Sequence, residues 1–145
     1  MVVNHEEQVK VYSDIAKKLG ITEKYGEVVS KASTFLNRHK DLDSVDVVFI
    51  DEAHLLFTQG NQGYSGKNQL DDIIKRAKVV VIVFDENQIL RMDQYWEKQM
   101  IDRYRNKAIE QQNHITLTKQ LRMQADNETL AWIDAFTKKQ IINKI

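Results

Sequence analysis

The chain has 145 residues, with Lys+Arg and Asp+Glu balanced at 21 each and a formal net charge of zero. That balance excludes bulk electrostatic attraction to nucleic acid or an anionic membrane, while leaving local patches open. Cysteine is absent, which excludes disulfides, thiolate metal sites and thiol nucleophiles. The length suits one domain with a sizeable core. No apolar run approaches the roughly 18 residues of a membrane span. The opening Met1–Glu7 lacks the basic and apolar regions of a signal peptide, so a cytoplasmic location without membrane contact is expected. Proline is also absent, so helix ends must come from caps and glycines.

Asn4 or His5 opens a charged helix that runs to about Leu19, with Gly20 as its stop. Thr22 begins a second helix, whose inward face is Val28, Val29, Ala32, Phe35 and Leu36. Asp41 to Ser44 form a polar turn. Val45 to Ile50 is apolar on both faces, as a buried parallel strand is. A glycine-rich stretch from Thr58 to Asn68 reads as a flexible surface loop. Leu70, Ile73, Ile74 and Ala77 then mark one helical face at i, i+3, i+4, i+7. Lys78 to Phe84 is a second fully apolar strand. A long helix is expected from Asp93 to about Gln112, with Trp96, Met100, Tyr104 and Ala108 along one side as core residues. Ile115 to Thr118 is a short strand candidate. Asp126 or Asn127 caps a last helix carrying Leu130, Ile133, Ala135 and Phe136. Alternating strands and helices predict an α/β fold with a parallel sheet flanked by helices on both faces.

The chemistry concentrates where the strands end. Val45–Ile50 drives into Asp51-Glu52, at the carboxyl end where open α/β sheets place ligands. An acidic pair there can be no more than a solvated helix start. However, Asp85-Glu86-Asn87-Gln88 follows the second apolar strand in the same way, and two such clusters on neighbouring strands converge on one crevice. Arg122, after the third strand candidate, could be an ordinary surface cation or could stabilise charge on a transferring phosphoryl group. His54 by itself reads as a turn residue. Gly66-Lys67 imitates the end of a phosphate loop, but Asn61 and Asn68 stand where glycine and Ser/Thr are required, and no strand leads in. No His, Asp or Glu spacing suggests structural zinc.

The segment Val48 to His54 resembles the Walker B motif of P-loop NTPases, motif II of superfamily 1 helicases. Phe84 to Gln88 resembles motif III, with Phe84 in place of the usual glycine. Leu117 to Arg122 resembles motif IV, with Leu121 in place of the usual aromatic. Together with Asn68-Gln69-Leu70 ahead of a helix, these segments are similar to the Schlafen group 3-like DNA/RNA helicase domain family. Val2-Val3-Asn4-His5 resembles the strand end that follows the Walker A helix in such proteins. The resemblance implies a single partial RecA-like P-loop NTPase domain over residues 1–145, beginning downstream of Walker A.

It also implies Mg²⁺ and ATP or GTP as cofactors, with hydrolysis only in an intact parent that supplies the Walker A loop. The nucleotide and the remainder of the NTPase domain are the implied partners, with DNA or RNA in the intact parent. Asp51 would hold Mg²⁺ and Glu52 would activate water. Gln88 would sense the γ-phosphate and Arg122 would serve as the arginine finger, with Asp85 beside the nucleotide. Two other readings compete: a non-catalytic interaction module on a degenerate NTPase fold, and a Mg²⁺-dependent nuclease using Asp51, Glu52 and Asp85.

Overall fold

The computed structural model describes residues 1–42, 44–60, 64–88, 95–117 and 124–137. The chain divides into two compact units, residues 1–96 and 97–145. In chain order the first unit holds β1 (Val2–Val3), α1 (Glu6–Lys18), α2 (Ile21–Tyr25), β2 (Ser30–Lys31), α3 (Ala32–Arg38), β3 (Val45–Ile50), α4 (Gln69–Ile74) and β4 (Ala77–Ile82). The second holds α5 (Lys98–Glu110) and α6 (Asn127–Thr137).

The four strands form one all-parallel sheet in the order β2-β1-β3-β4. β3 and β4 are runs of β-branched side chains, which suit a pleated surface and disfavour helix. Val47 lies opposite Val79, Phe49 opposite Val81, and Ile50 opposite Ile82, while Val2 of β1 lies opposite Ile50 on the other flank. Side chains alternate between sheet faces, so Val2, Val48 and Ile50 share one face and Val3, Val47 and Phe49 the other. Helix α1 packs on the second face through a cluster of Val3, Ala16 and Val29, with Val9 and Tyr12 against it. Helix α4 contacts β4, and α3 contacts α4 and β1. Because Val79 and Val81 are exposed, α4 must lie on the opposite face, where Val48 and Ile50 are buried.

Helices therefore flank the sheet on both sides, as the strand composition predicts, but cover is uneven. Val47, Phe49, Val79, Val81 and Val83 are all between 41% and 53% exposed, a contiguous apolar strip across β3 and β4. A strand apolar on both faces is the sequence signature of a doubly covered sheet, and here one face of those two strands is left about half-exposed.

The second predicted helix is not continuous. α2 ends at Tyr25 because Gly26 takes φ 74° and ψ −157°, a region in effect open only to glycine. Val28 and Val29 then lead into the short strand β2, and the helical pattern resumes as α3. The apolar side chains are those expected, but a strand intervenes that is too short to leave a periodicity. Helix α4 likewise stops at Ile74, and Ala77 already belongs to β4.

The glycine-rich loop is pinned in its described part. Tyr64 is buried and its hydroxyl donates to Asp72 Oδ2 at 2.7 Å. Asn68 caps α4 by accepting the Asp71 N–H at 3.1 Å. A Cβ on Gly66 would collide with the Tyr64 hydroxyl, so glycine here permits the close approach of the Tyr64 ring.

In the second unit, Asp126 caps α6, accepting the Thr129 N–H at 2.8 Å and its hydroxyl at 2.9 Å. Trp132 and Phe136 stack one turn apart. Neither α5 nor α6 contains a buried residue. Residues 115–117 are irregular and exposed, not a strand. Asp93, the expected start of the long helix, lies outside the described residues. Among the described residues, no helix is long and apolar enough to cross a membrane.

Candidate nucleotide site at the strand ends

The chain runs from β1 outward to β2 on one side, then returns past β1 to β3 and β4 on the other. The winding direction thus reverses between β1 and β3. Such a switch point opens a crevice at the carboxyl ends of the strands, where α/β proteins bind ligands. Asn4-His5 follows β1 there, and Asp51-Glu52 follows β3.

Asp51 is half-buried and its carboxylate is held by two donors. The Glu52 backbone N–H donates to Oδ1 at 3.0 Å, and the Tyr12 hydroxyl donates to Oδ2 at 3.0 Å. That hydrogen bond to Asp51, with burial behind it, pushes the Tyr12 phenol above its ordinary value, so it remains a protonated donor. The Asp51 N–H itself donates to the Val2 carbonyl at 3.1 Å, closing the β1–β3 seam. Asn4 Nδ2 and Gln8 Oε1, four residues apart ahead of Tyr12, are buried with no hydrogen-bond partner among the described residues.

Glu52 adopts φ 50° and ψ 50°, a left-handed conformation unusual for a residue with a side chain. Strain of this kind collects at functional sites and persists only where neighbours enforce it. Here the next residue does so: the Ala53 N–H donates to the Val83 carbonyl at 2.8 Å, tying the end of β3 to the end of β4. A 3₁₀ turn, Ala53–Leu55, follows.

His54 lies in that turn, as expected, but it is 2% exposed. Its Nδ1 accepts the Asp85 N–H over a long 3.4 Å, which places the ring proton on Nε2. Its carbonyl accepts the Trp96 indole N–H at 3.1 Å. Phe84 packs edge-on against both rings, 6.0 Å from His54 and 5.2 Å from Trp96. Phe84, where a glycine is usual, is thus the centre of an aromatic clamp that locks the two acidic loops together.

Burial drives the His54 pKa below its ordinary value, against the opposing pull of Glu52, Asp85 and Asp51. The unfolded chain therefore binds this proton more readily than the folded one. Stability is fully present above the unfolded value near 6.5 and falls as the pH drops below it, by at most about 1.4 kcal/mol per pH unit for one proton. Urea unfolding at pH 7.5 and 5.5 should show this loss in the native chain and a smaller loss in His54→Gln. Equal losses in both would show that His54 contributes no proton linkage.

Asp85 and Gln88 are held as a pair. The Gln88 amide donates to Asp85 Oδ2 at 2.7 Å; Asp85 immediately precedes the short 3₁₀ turn Glu86–Gln88, which ends at Gln88. The structure therefore brings Asp51, Glu52, Asp85 and Gln88 to the ends of two adjacent strands. Arg122 lies outside the described residues. Among the described residues, no three His, Asp or Glu side chains converge as a metal-holding group. Asp51 alone suits Mg²⁺, which takes one or two carboxylates and draws its other ligands from water and phosphates. Sequence reasoning missed Tyr12, the burial of His54 and the strained Glu52, because each depends on contacts across the strand ends that no local pattern encodes.

A four-stranded parallel sheet flanked by helices, with its acidic strand ends gathered beside a switch point, defines a partial RecA-like α/β domain. The chain belongs to the family described as Schlafen group 3, DNA/RNA helicase domain, whose model it matches over residues 1–145. By family it is a helicase-like domain. It is also similar to the uncharacterized protein YPL245W of Saccharomyces cerevisiae, 34% identical over 142 residues, covering 92% of this chain and 31% of that protein. The chain thus spans about a third of that relative's length. No solved structure matches it.

Proposed function

We propose that this chain carries the metal-and-water half of the nucleotide site of a helicase-related NTPase, and that the phosphate cradle comes from elsewhere in the polypeptide. The observation that carries this reading is the tie between β3 and β4, which sets Asp51-Glu52 beside Asp85 and Gln88 at one end of the sheet. In this reading Asp51 would hold Mg²⁺, directly or through water, and the ion would supply charge neutralisation for the nucleotide phosphates. Glu52 accepts a proton from the attacking water and orients it in line. Gln88, fixed by Asp85, reads the terminal phosphate. Arg122 supplies a positive charge to the transferring phosphoryl group. ATP or GTP is the substrate, and DNA or RNA the partner to which hydrolysis is coupled.

The uncovered strip on β3 and β4 accords with this division. A parallel sheet is stable when both faces are covered, and we propose that the remainder of the NTPase domain covers this one. The same strip is what a non-catalytic interaction module would use, and Glu52 separates the two readings. In the polypeptide that contains this chain, Glu52→Gln should keep nucleotide binding while hydrolysis falls on the order of 100-fold or more, the usual size for loss of a general base. Unchanged hydrolysis in Glu52→Gln would remove Glu52 from the chemistry and favour the interaction module. A nuclease using Asp51, Glu52 and Asp85 would instead cleave nucleic acid with no nucleotide present.

A further inference from the structure

We propose that Tyr12 is the positioning residue for Asp51, fixing the carboxylate so that one open lone pair on each oxygen is presented to the cation. The proposal rests on the nucleotide-site reading above and extends it to a residue 39 positions away in sequence.

A free aspartate carboxylate turns easily about its terminal torsion, which is broad and roughly two-fold. Here each oxygen carries its own donor: the Glu52 N–H on Oδ1 and the Tyr12 hydroxyl on Oδ2, both at 3.0 Å. Two donors on two different oxygens remove that rotation. The first donor is backbone, held in place by the strained Glu52 and the Ala53–Val83 tie. The second is a side chain whose ring is held by packing, since Tyr12 lies against the Val3, Ala16 and Val29 cluster beneath α1. The hydroxyl is thus carried by a fixed lever that crosses the switch point from α1 to β3. A neutral donor also leaves the carboxylate its full charge, where a cationic partner would compete with the metal.

Outer partners of this kind orient metal-holding carboxylates, and their loss commonly weakens metal binding by about 10- to 100-fold. The test is Mn²⁺ line broadening of the Asp51 and Glu52 amide resonances, read by NMR on the 145-residue chain with no nucleotide present. Tyr12→Phe keeps the ring and its packing and removes only the hydroxyl, so the remaining resonances should stay in place. About 10-fold more Mn²⁺ should be needed for the same broadening. Asp51→Asn should abolish the local broadening, and adding Tyr12→Phe to it should change nothing further. Tyr12→Phe broadening identical to the native chain overturns the proposal while leaving Asp51 as the metal residue. Broadening that is unaffected by Asp51→Asn, or absent from the native chain, removes the metal assignment and the proposal together.

Discussion

Asp51→Asn should lower nucleotide hydrolysis by the polypeptide containing this chain on the order of 100- to 1,000-fold, the size of loss that follows removal of one preorganised electrostatic group from a reacting centre. The substitution removes the charge that attracts a divalent cation. It also replaces one carboxylate oxygen with an amide nitrogen, which cannot accept the Glu52 N–H or the Tyr12 hydroxyl. Both donors are present in the native site at 3.0 Å, so whichever one loses its acceptor is left unpaired. The fold should survive, because Asp51 is only half-buried and its N–H bond to Val2 is backbone. Steady-state hydrolysis checks the prediction, with urea unfolding as the control for folding. Native-like turnover in a folded Asp51→Asn protein would show that Asp51 does not hold the metal.

Ile50→Ala should have the largest effect on stability, about 2–5 kcal/mol, against a total of about 5–15 kcal/mol for an ordinary domain. Ile50 is 1% exposed and lies where the sheet is paired on both flanks, opposite Val2 of β1 and Ile82 of β4. Its truncation leaves a cavity on the covered face of the sheet, above strands that are fixed by backbone hydrogen bonds, so the site has little freedom to collapse. The neighbouring Phe49, a larger side chain, points to the opposite face and is 52% exposed. Phe49→Ala should cost under about 1 kcal/mol, since little surface is returned to water. Urea unfolding of the two variants reads the contrast. Equal losses would mean that the strip of Phe49, Val79 and Val81 is covered in solution.

The sheet was legible because its two long strands are dominated by β-branched residues, and each apolar run leads into a carboxylate. That pattern alone predicts parallel, adjacent, buried strands and places Asp51 and Asp85 together. The two-residue strand β2 was not legible, since a period of two cannot be read from two residues, and β1 was reached only through the resemblance of Val2-Val3-Asn4-His5 to a strand end. Gly26 hid the break in the second helix for a related reason: the apolar side chains on either side keep a helical spacing, and only the backbone geometry of that glycine interrupts it. The site was legible to the extent that it lies on one strand end. Tyr12 and Asp51 meet through the β1–β3 seam, and the aromatic clamp of His54, Phe84 and Trp96 joins three separate stretches of chain. Phe84 illustrates the limit best. In sequence it is a departure from a glycine, whereas in the fold it fills the space between two rings.

In the proposed reading the chain holds the metal and water residues of a nucleotide site whose phosphate cradle lies elsewhere in the polypeptide. Calorimetric titration with Mg·ATP tests it most directly, performed on residues 1–145 and on a polypeptide extended toward the N-terminus. The predicted result is no measurable binding by residues 1–145, and binding of about micromolar order by the extended polypeptide that disappears in Asp51→Ala. Micromolar binding by residues 1–145 that is lost in Asp51→Ala would show a site complete without the cradle, and would contradict the account.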